Sequence, residues 1–165
     1  MLAERKTEKV QIQRMLQRAE PRIFHYQFVA DPLSVRYALR AAMARFLRQM
    51  TETEAGTLEL ILAEVLNNIV EHGYENSGEG SITLSIVRDR RGMNCAVSDD
   101  GTALPLECLL HSESEGAGGH VRPDPGKLPE GGFGWFLIRD LAEELGYRRE
   151  NGHNLLAFRL PLEPA

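Results

Sequence analysis

Four polar residues, Glu64, Asn67, Asn68 and Glu71, recur along a stripe of a segment whose remaining positions are mostly apolar at helical spacing. An adjacent Asn pair opposes helix propensity, because Asn competes for local backbone hydrogen bonds. Such amides point to a use beyond the helix itself. An amide oxygen is a neutral, hard ligand that can join waters and nucleotide phosphates in an octahedron around Mg²⁺. Glu64, one turn from Asn68, can orient or deprotonate an attacking nucleophile. Downstream, Asp99-Asp100-Gly101-Thr102-Ala103 puts a carboxylate where it can accept a hydrogen bond from an adenine amino group. Gly101 and Ala103 there leave room for a flat base against the backbone. Gly131-Gly132-Phe133-Gly134 opens a helix whose free N–H groups and positive dipole end can receive phosphate.

Each piece has a plainer use when taken singly. Glu64 and Asn68 fit a solvated helix face or a polar rim of the core, Asp99 fits a turn residue closing a strand, and the glycines fit a flexible helix entry. Other chemistries drop out on spacing. Gly126-Lys127 is followed by Leu128 and no GxxxxGK exists, which excludes a P-loop, and no GxGxxG follows a strand. Cys108, His111 and His120 lack the spacing and the fourth partner of a zinc site.

The elements that must position these residues follow from periodicity and punctuation. Glu4 to Glu20 has helical spacing through Val10, Ile12, Met15 and Leu16, and Pro21 ends it. Ile23 to Val29 is rich in aromatic and β-branched residues and predicts a strand. Asp31-Pro32 caps a helix carrying Val35, Leu39, Ala42, Met43, Phe46 and Leu47 inward, up to about Met50. A second helix is expected from near Thr53 to His72, burying Leu58, Ile61, Leu62, Val65, Ile69 and Val70 and stopping at Gly73. After a turn over Glu75–Gly80, Ile82, Leu84 and Ile86 alternate, Gly92 turns the chain, and Met93–Ser98 returns as a hairpin. Residues 101–131 hold most of the Gly and Pro and read as a mobile lid. Phe133 to Leu145 predicts a last helix, and Gly146–Glu150 pairs with Leu155–Leu160 across Asn151-Gly152. This order predicts an α+β two-layer sandwich, helices on one face of a mostly antiparallel sheet. The organisation expected is an N-terminal accessory helix over 1–21 and one domain over 22–165, with the lid at about 104–131.

Composition narrows the partners. The chain has 165 residues with Lys and Arg at 19 against Asp and Glu at 24, a net charge of −5. That gives no electrostatic case for nucleic acid or an anionic membrane surface. The longest apolar runs, such as Leu58 to Leu66, are far too short to span a bilayer. Met1 to Glu20 is charged rather than signal-like, so a cytoplasmic protein is expected. Cys95 and Cys108 form no CxxC pair and suit a reducing compartment without a disulfide.

Together, and in this order, the motifs resemble those of the ATP-binding fold shared by gyrase, the heat-shock chaperone ATPases, histidine kinases and mismatch-repair ATPases. Glu64-Val-Leu-Asn-Asn68 followed by Glu71-His72-Gly73-Tyr74-Glu75-Asn76 is similar to that superfamily's Asn box, in the form typical of anti-sigma factor serine kinases. Asp99-Asp-Gly101-Thr-Ala103 resembles its adenine-binding box, and Gly132-Phe-Gly134-Trp-Phe-Leu-Ile-Arg-Asp-Leu its second glycine box. The resemblance runs from about Ile23 to Leu162. It implies ATP and Mg²⁺, with Glu64 as catalytic base, Asn68 as the metal ligand, Asp99 as adenine reader, and Gly101, Ala103, Gly132 and Gly134 as nucleotide contacts. Asn67 sits about 100° around the helix from Asn68 and either reaches phosphate or flanks the site. Arg122 and Lys127 are the lid cations available to a γ-phosphate. Two departures stand out: Ala103 where many relatives have Gly, and Gly152-His153-Asn154 in place of a more usual Gly-Thr pattern near the last strand.

The resemblance implies a serine/threonine protein kinase that phosphorylates an antagonist of the anti-sigma factor type and also holds a sigma factor by direct binding. A homodimer is a further expectation of it. The chain has no acceptor-His helix pair of a complete sensor histidine kinase. A nucleotide-gated binding module that sequesters a partner without phosphotransfer is the alternative, and a nucleotide-free adaptor is a third. Glu64 favours the kinase, because binding alone needs the Asn and Asp but no base.

Overall fold

Asp31 and Thr51 fix where the two long helices begin. The Asp31 carboxylate accepts hydrogen bonds from the Ser34 backbone N–H at 2.8 Å and the Ser34 hydroxyl at 2.7 Å, with Pro32 in the first turn of helix α1 (Pro32–Phe46). Thr51 and Glu54 close a capping box at the start of helix α2 (Glu52–Asn68): the Glu54 N–H donates to Thr51 Oγ1 at 3.2 Å, and the Thr51 N–H donates to Glu54 Oε2 at 2.7 Å. The computed structural model describes residues 22–104 and 133–162. The expected accessory helix over 1–21, and the expected lid beyond Leu104, lie outside the described residues.

The strands are β1 (Arg22–Val29), β2 (Ser81–Arg88), β3 (Gly92–Asp99), β4 (Glu143–Glu150) and β5 (His153–Pro161), with helix α3 (Phe133–Leu141) between β3 and β4. They form one sheet in the order β1-β2-β3-β5-β4, every neighbouring pair antiparallel. The chain crosses over after β3, so β5 lands beside it and β4 becomes the edge.

One face of the sheet is apolar. Ile82, Leu84 and Ile86 of β2, Met93, Cys95 and Val97 of β3, and Leu156, Phe158 and Leu160 of β5 are buried, as are Leu58, Ile61, Leu62, Val65 and Leu66 of α2 and Trp135 and Ile138 of α3. These alternating strand positions and helical stripes make a single core between two layers. Burial pushes the Cys95 thiol up to about 12, which leaves it an inert core residue.

The expected and observed boundaries differ at three helix ends. Helix α1 stops at Phe46 and continues as a single tighter turn, Leu47–Gln49, which carries Leu47 out of the expected core stripe to 57% exposure. The α2 spacing persists to Asn68, and Ile69–Gly73 then widens into a π turn. Gly73 does not adopt the left-handed cap conformation expected of a helix-ending glycine. Residues Glu143–Leu145, expected to finish the last helix, belong to β4 instead. There the buried Arg159 side chain of β5 draws Glu143 and Glu144 onto it at 2.8 and 2.9 Å. The strand accommodates this with a register shift between Glu143 and Gly146 and a positive φ of 53° at Glu144.

Leu62 is wholly buried between α2 and the sheet, so Leu62→Ala is expected to destabilise the fold by about 2–5 kcal/mol, read as a lower denaturant midpoint with an unchanged slope.

Candidate functional site

The C-terminal half of α2, the end of β3 and the start of α3 meet around a set of polar groups that a core would otherwise exclude. Four polar or charged residues are buried among the described residues: Asn68 (7% exposed), Asp99 (5%), Asn154 (2%) and Arg159 (8%). Arg159 is neutralised by its two glutamates at the far end of β5. The other three carry the candidate chemistry.

Glu64 and Asn68 sit one turn apart on α2, with the backbone of Gly134 against both. A Cβ at Gly134 would collide with Glu64 Oε2 and lie 3.3 Å from Asn68 Nδ2. The α3 N-terminus thus lies directly against this carboxylate and amide, and a side chain at residue 134 would have to push the Glu64 carboxylate aside. Asn68 Nδ2 is buried without a hydrogen-bond partner. An unpaired buried donor of this kind costs about 1–3 kcal/mol, which a ligand acceptor would relieve. Asn67, by contrast, is exposed, as its position around the helix requires.

The π turn delivers the second group. Its last carbonyls are capped from the segment after β3: Thr102 Oγ1 donates to His72 O at 3.0 Å, and the Thr102 N–H donates to Gly73 O at 3.0 Å. Gly101 lies beneath, where a Cβ would come 2.7 Å from Gly73 O and 3.0 Å from Asp99 Oδ1. Gly73 itself would meet only ordinary contacts with a Cβ; it is Gly101 that the approach requires. Ala103 is exposed beside it.

Asp99 Oδ1 accepts from the Gly101 N–H at 2.9 Å and from Asn154 Nδ2 at 2.9 Å. Asn154 also donates to Thr102 O at 2.9 Å and Gly101 O at 3.3 Å, and its Oδ1 accepts from the Tyr147 hydroxyl at 2.6 Å and Arg149 Nη1 at 2.7 Å. Arg149 Nη1 reaches Gly101 O as well, at 2.9 Å. Burial pushes the Asp99 carboxyl above its ordinary range, opposed by the Asn154 and Gly101 hydrogen bonds.

An open cavity of about 740 Å³ adjoins this network, lined among others by Gly73, Tyr74, Asp100, Gly101, Thr102 and Arg149. Its size is that of a small-ligand cleft. Tyr74 closes one wall: its single O–H is shared between the Asp100 carboxylate and Ser81 O, and its oxygen accepts from the Asp100 N–H. Burial and the adjoining Asp100 carboxylate hold that phenol above its ordinary value. A second cavity, about 340 Å³, lies at the N-terminal end of α2 around Thr51 and Leu58 and gathers no candidate residue.

The structure thus brings together Glu64, Asn68 and Gly134, and, beside the π turn, Asp99, Gly101 and Ala103. Gly132, Arg122 and Lys127 lie outside the described residues, as do Cys108, His111 and His120. Among the described residues no cluster of three or more His, Cys, Asp or Glu could hold a metal ion. A cation here would depend on the Asn68 amide oxygen and on oxygens brought by a ligand, a donor set that suits Mg²⁺. Sequence reasoning singled out neither Tyr74, Tyr147 nor Arg149 as site residues, and noted Asn154 only as a departure from a pattern. The signal for Asn154 was its phase, since it shares the inward face of β5 with Leu156, Phe158 and Leu160.

The sequence profile of the histidine kinase-like ATPase domain matches residues 28–160. The chain belongs to that family. This histidine kinase-like ATPase domain is 30% identical over 81 residues to the anti-sigma F factor of Bacillus licheniformis, covering 48% of this chain and 55% of that protein. It is 27% identical over 95 residues to the serine-protein kinase RsbW of Halalkalibacterium halodurans, covering 58% of this chain and 56% of that protein. The serine/threonine-protein kinase BtrW of Bordetella bronchiseptica is 30% identical over 102 residues, with 62% of this chain and 67% of that protein covered. The chain spans about half the length of the first two of these relatives. The blue-light activated histidine kinase of Erythrobacter litoralis EL346 aligns with a TM-score of 0.46 at 23% identity, over 68% of this chain and 32% of that one. In the described part of this ATPase domain no helix is long and apolar enough to cross a membrane.

The raised Asp99 carboxyl has a consequence for stability. A folded-state value above the ordinary 3.8 means that folding favours the protonated form, so the stabilising contribution is complete at acid pH and lost as pH rises through the folded value. Asp99→Asn keeps an oxygen for Gly101 and Asn154 without the buried charge. Its melting temperature is expected to exceed that of the wild type at pH 7, with the gap closing below pH 3.8, as differential scanning calorimetry across pH would record.

Proposed function

We propose that the chain is an ATP-dependent serine/threonine protein kinase of the anti-sigma type, phosphorylating an antagonist protein and holding a sigma factor by direct binding. The observation that carries this reading is the placing of the Glu64 carboxylate and the buried Asn68 amide, its nitrogen unpaired, together under the N-terminus of α3 at Gly134. The names of the RsbW and BtrW relatives support the reaction, and the anti-sigma F factor supports the sequestering role.

In this reading Asp99 accepts the adenine amino group, and Gly101 and Ala103 let the base lie against the backbone. Gly132 and Gly134 open the α3 N-terminus to the phosphates, where N–H groups and the helix dipole favour anions, with Arg122 and Lys127 as lid cations for the γ-phosphate. Asn68 holds the Mg²⁺ that ATP brings, which when bound neutralises charge on the phosphate oxygens; Asn67 flanks that position. Glu64 orients the partner's Ser or Thr hydroxyl and takes its proton. The hydroxyl oxygen bonds to the γ-phosphorus as the bond to the β,γ-bridging oxygen breaks, leaving ADP and a phosphorylated partner. A homodimer, the accessory helix at 1–21 and the domain over 22–165 with its lid at about 104–131 belong to the same proposal.

Two measurements test it. Calorimetric titration of Mg-ATP should show Mg²⁺-dependent binding by the wild type that collapses in Asn68→Ala; absence of binding at millimolar nucleotide would sink the ATP reading. With labelled ATP and the cognate antagonist, Glu64→Gln should lower phosphotransfer by about 10²–10⁴-fold while ATP binding persists. Wild-type protein that binds ATP yet transfers no label to that antagonist would instead be a nucleotide-gated binding module, the reading that the anti-sigma F factor relative supports when taken alone.

A further inference from the structure

The β3–β5 and β5–β4 registers place Asp99 opposite Asn154, and Asn154 opposite Arg149. All three point to the helix-covered face. Asn154 is oriented without ambiguity. Its oxygen meets two donors, Tyr147 Oη and Arg149 Nη1, and its nitrogen meets acceptors only, Asp99 Oδ1, Thr102 O and Gly101 O. Reversing the amide would set its oxygen against a carboxylate and two carbonyls.

The fixed amide has an effect on the carboxylate. Asp99 Oδ1 receives two donors, Asn154 Nδ2 and the Gly101 N–H, whereas no described residue donates to Oδ2. A carboxylate with both oxygens free matches an edge with two adjacent donors, such as N1–H and the 2-amino group of guanine. One with a single free oxygen matches an edge with one donor flanked by an acceptor, the 6-amino group and N1 of adenine. Presented with one free acceptor, guanine leaves a buried donor unpaired, and hydrogen-bonding sites reject mismatched polar groups strongly.

We propose that Asn154 is the specificity-determining positioning residue of the site at Asp99, occupying one oxygen of its carboxylate and so restricting the site to an adenine base over guanine. This rests on the reading of the cleft as an ATP site. Tyr147 and Arg149 serve it by holding the amide from behind, and the Tyr147 hydroxyl also accepts from the Leu104 N–H at 3.1 Å, which ties the same network to the chain as it leaves the base-binding segment.

The test is competitive titration of Mg-ATP and Mg-GTP into the full chain as wild type, Asn154→Leu and Asn154→Met. Leu keeps the heavy-atom count and the branch at Cγ without the amide; Met is unbranched and adaptable and keeps the experiment alive where Asn154→Leu does not fold. The ribose and triphosphate are common to both ligands, so a structural loss moves both affinities together and leaves their ratio unchanged. The wild type is expected to prefer ATP, and the variants are expected to lower the ATP-to-GTP ratio by about tenfold or more, with GTP affinity held or increased. An unchanged ratio in folded variants overturns the role of Asn154 while leaving the ATP reading intact. Failure of the wild type to bind either nucleotide overturns both.

Discussion

A carboxyl group buried at the inner end of a β-strand needs fixed dipoles in place of the water it has lost, and Asp99 obtains them from two directions. The Gly101 N–H folds back from the next turn, and the Asn154 amide arrives across the sheet from β5. Each supporting group is itself supported. Asn154 is held by Tyr147 and Arg149 on the edge strand, and Gly101 O is held by Arg149 and Asn154. Fully connected networks of this sort fix a geometry, whereas partly satisfied ones cost stability. Among the described residues the buried amide left incomplete nearby is Asn68, whose nitrogen is a donor still open to a partner.

Helix α2 reaches this network by giving up its own regularity. A wider turn over Ile69–Gly73 brings the His72 and Gly73 carbonyls to Thr102 rather than leaving them to solvent. Such insertions are frequent at functional sites. The helix that carries Glu64 and Asn68 is thus fastened at its end to the segment that carries Asp99 and Gly101, so the two groups of candidate residues cannot drift apart without breaking backbone hydrogen bonds.

Much of this was legible from residue types. The alternation of Ile82, Leu84 and Ile86 and the spacing of Leu58, Ile61, Leu62 and Val65 fix which faces are buried, and Asn151-Gly152 marks a hairpin because both residues adopt positive φ, 50° and 77°. The Glu64–Asn68 stripe and the Asp99–Gly101 spacing are local patterns and were equally readable. What escaped was non-local. The end of α3 depends on Arg159, eighteen or more residues further on, recruiting Glu143 and Glu144, and no helical periodicity reports that. Tyr147 and Arg149 look like ordinary members of a charged edge strand until register sets them beside Asn154. The exposure of Leu47 follows from a tightened turn that apolar spacing does not encode.

The two-residue turn at Asn151-Gly152 is, at first sight, remote from any chemistry. Yet side chains along a strand change face at every residue, and this turn sets the phase of β4 against β5. One residue gained or lost there would shift β4 against a β5 that its pairing with β3 and its buried Leu156, Phe158 and Leu160 hold in place, turning Tyr147 and Arg149 away from Asn154. Asn154 would still reach Asp99 but would lose the two donors that hold its own oxygen. In this protein a hairpin turn acts as the indexing pin of the hydrogen-bond network around Asp99.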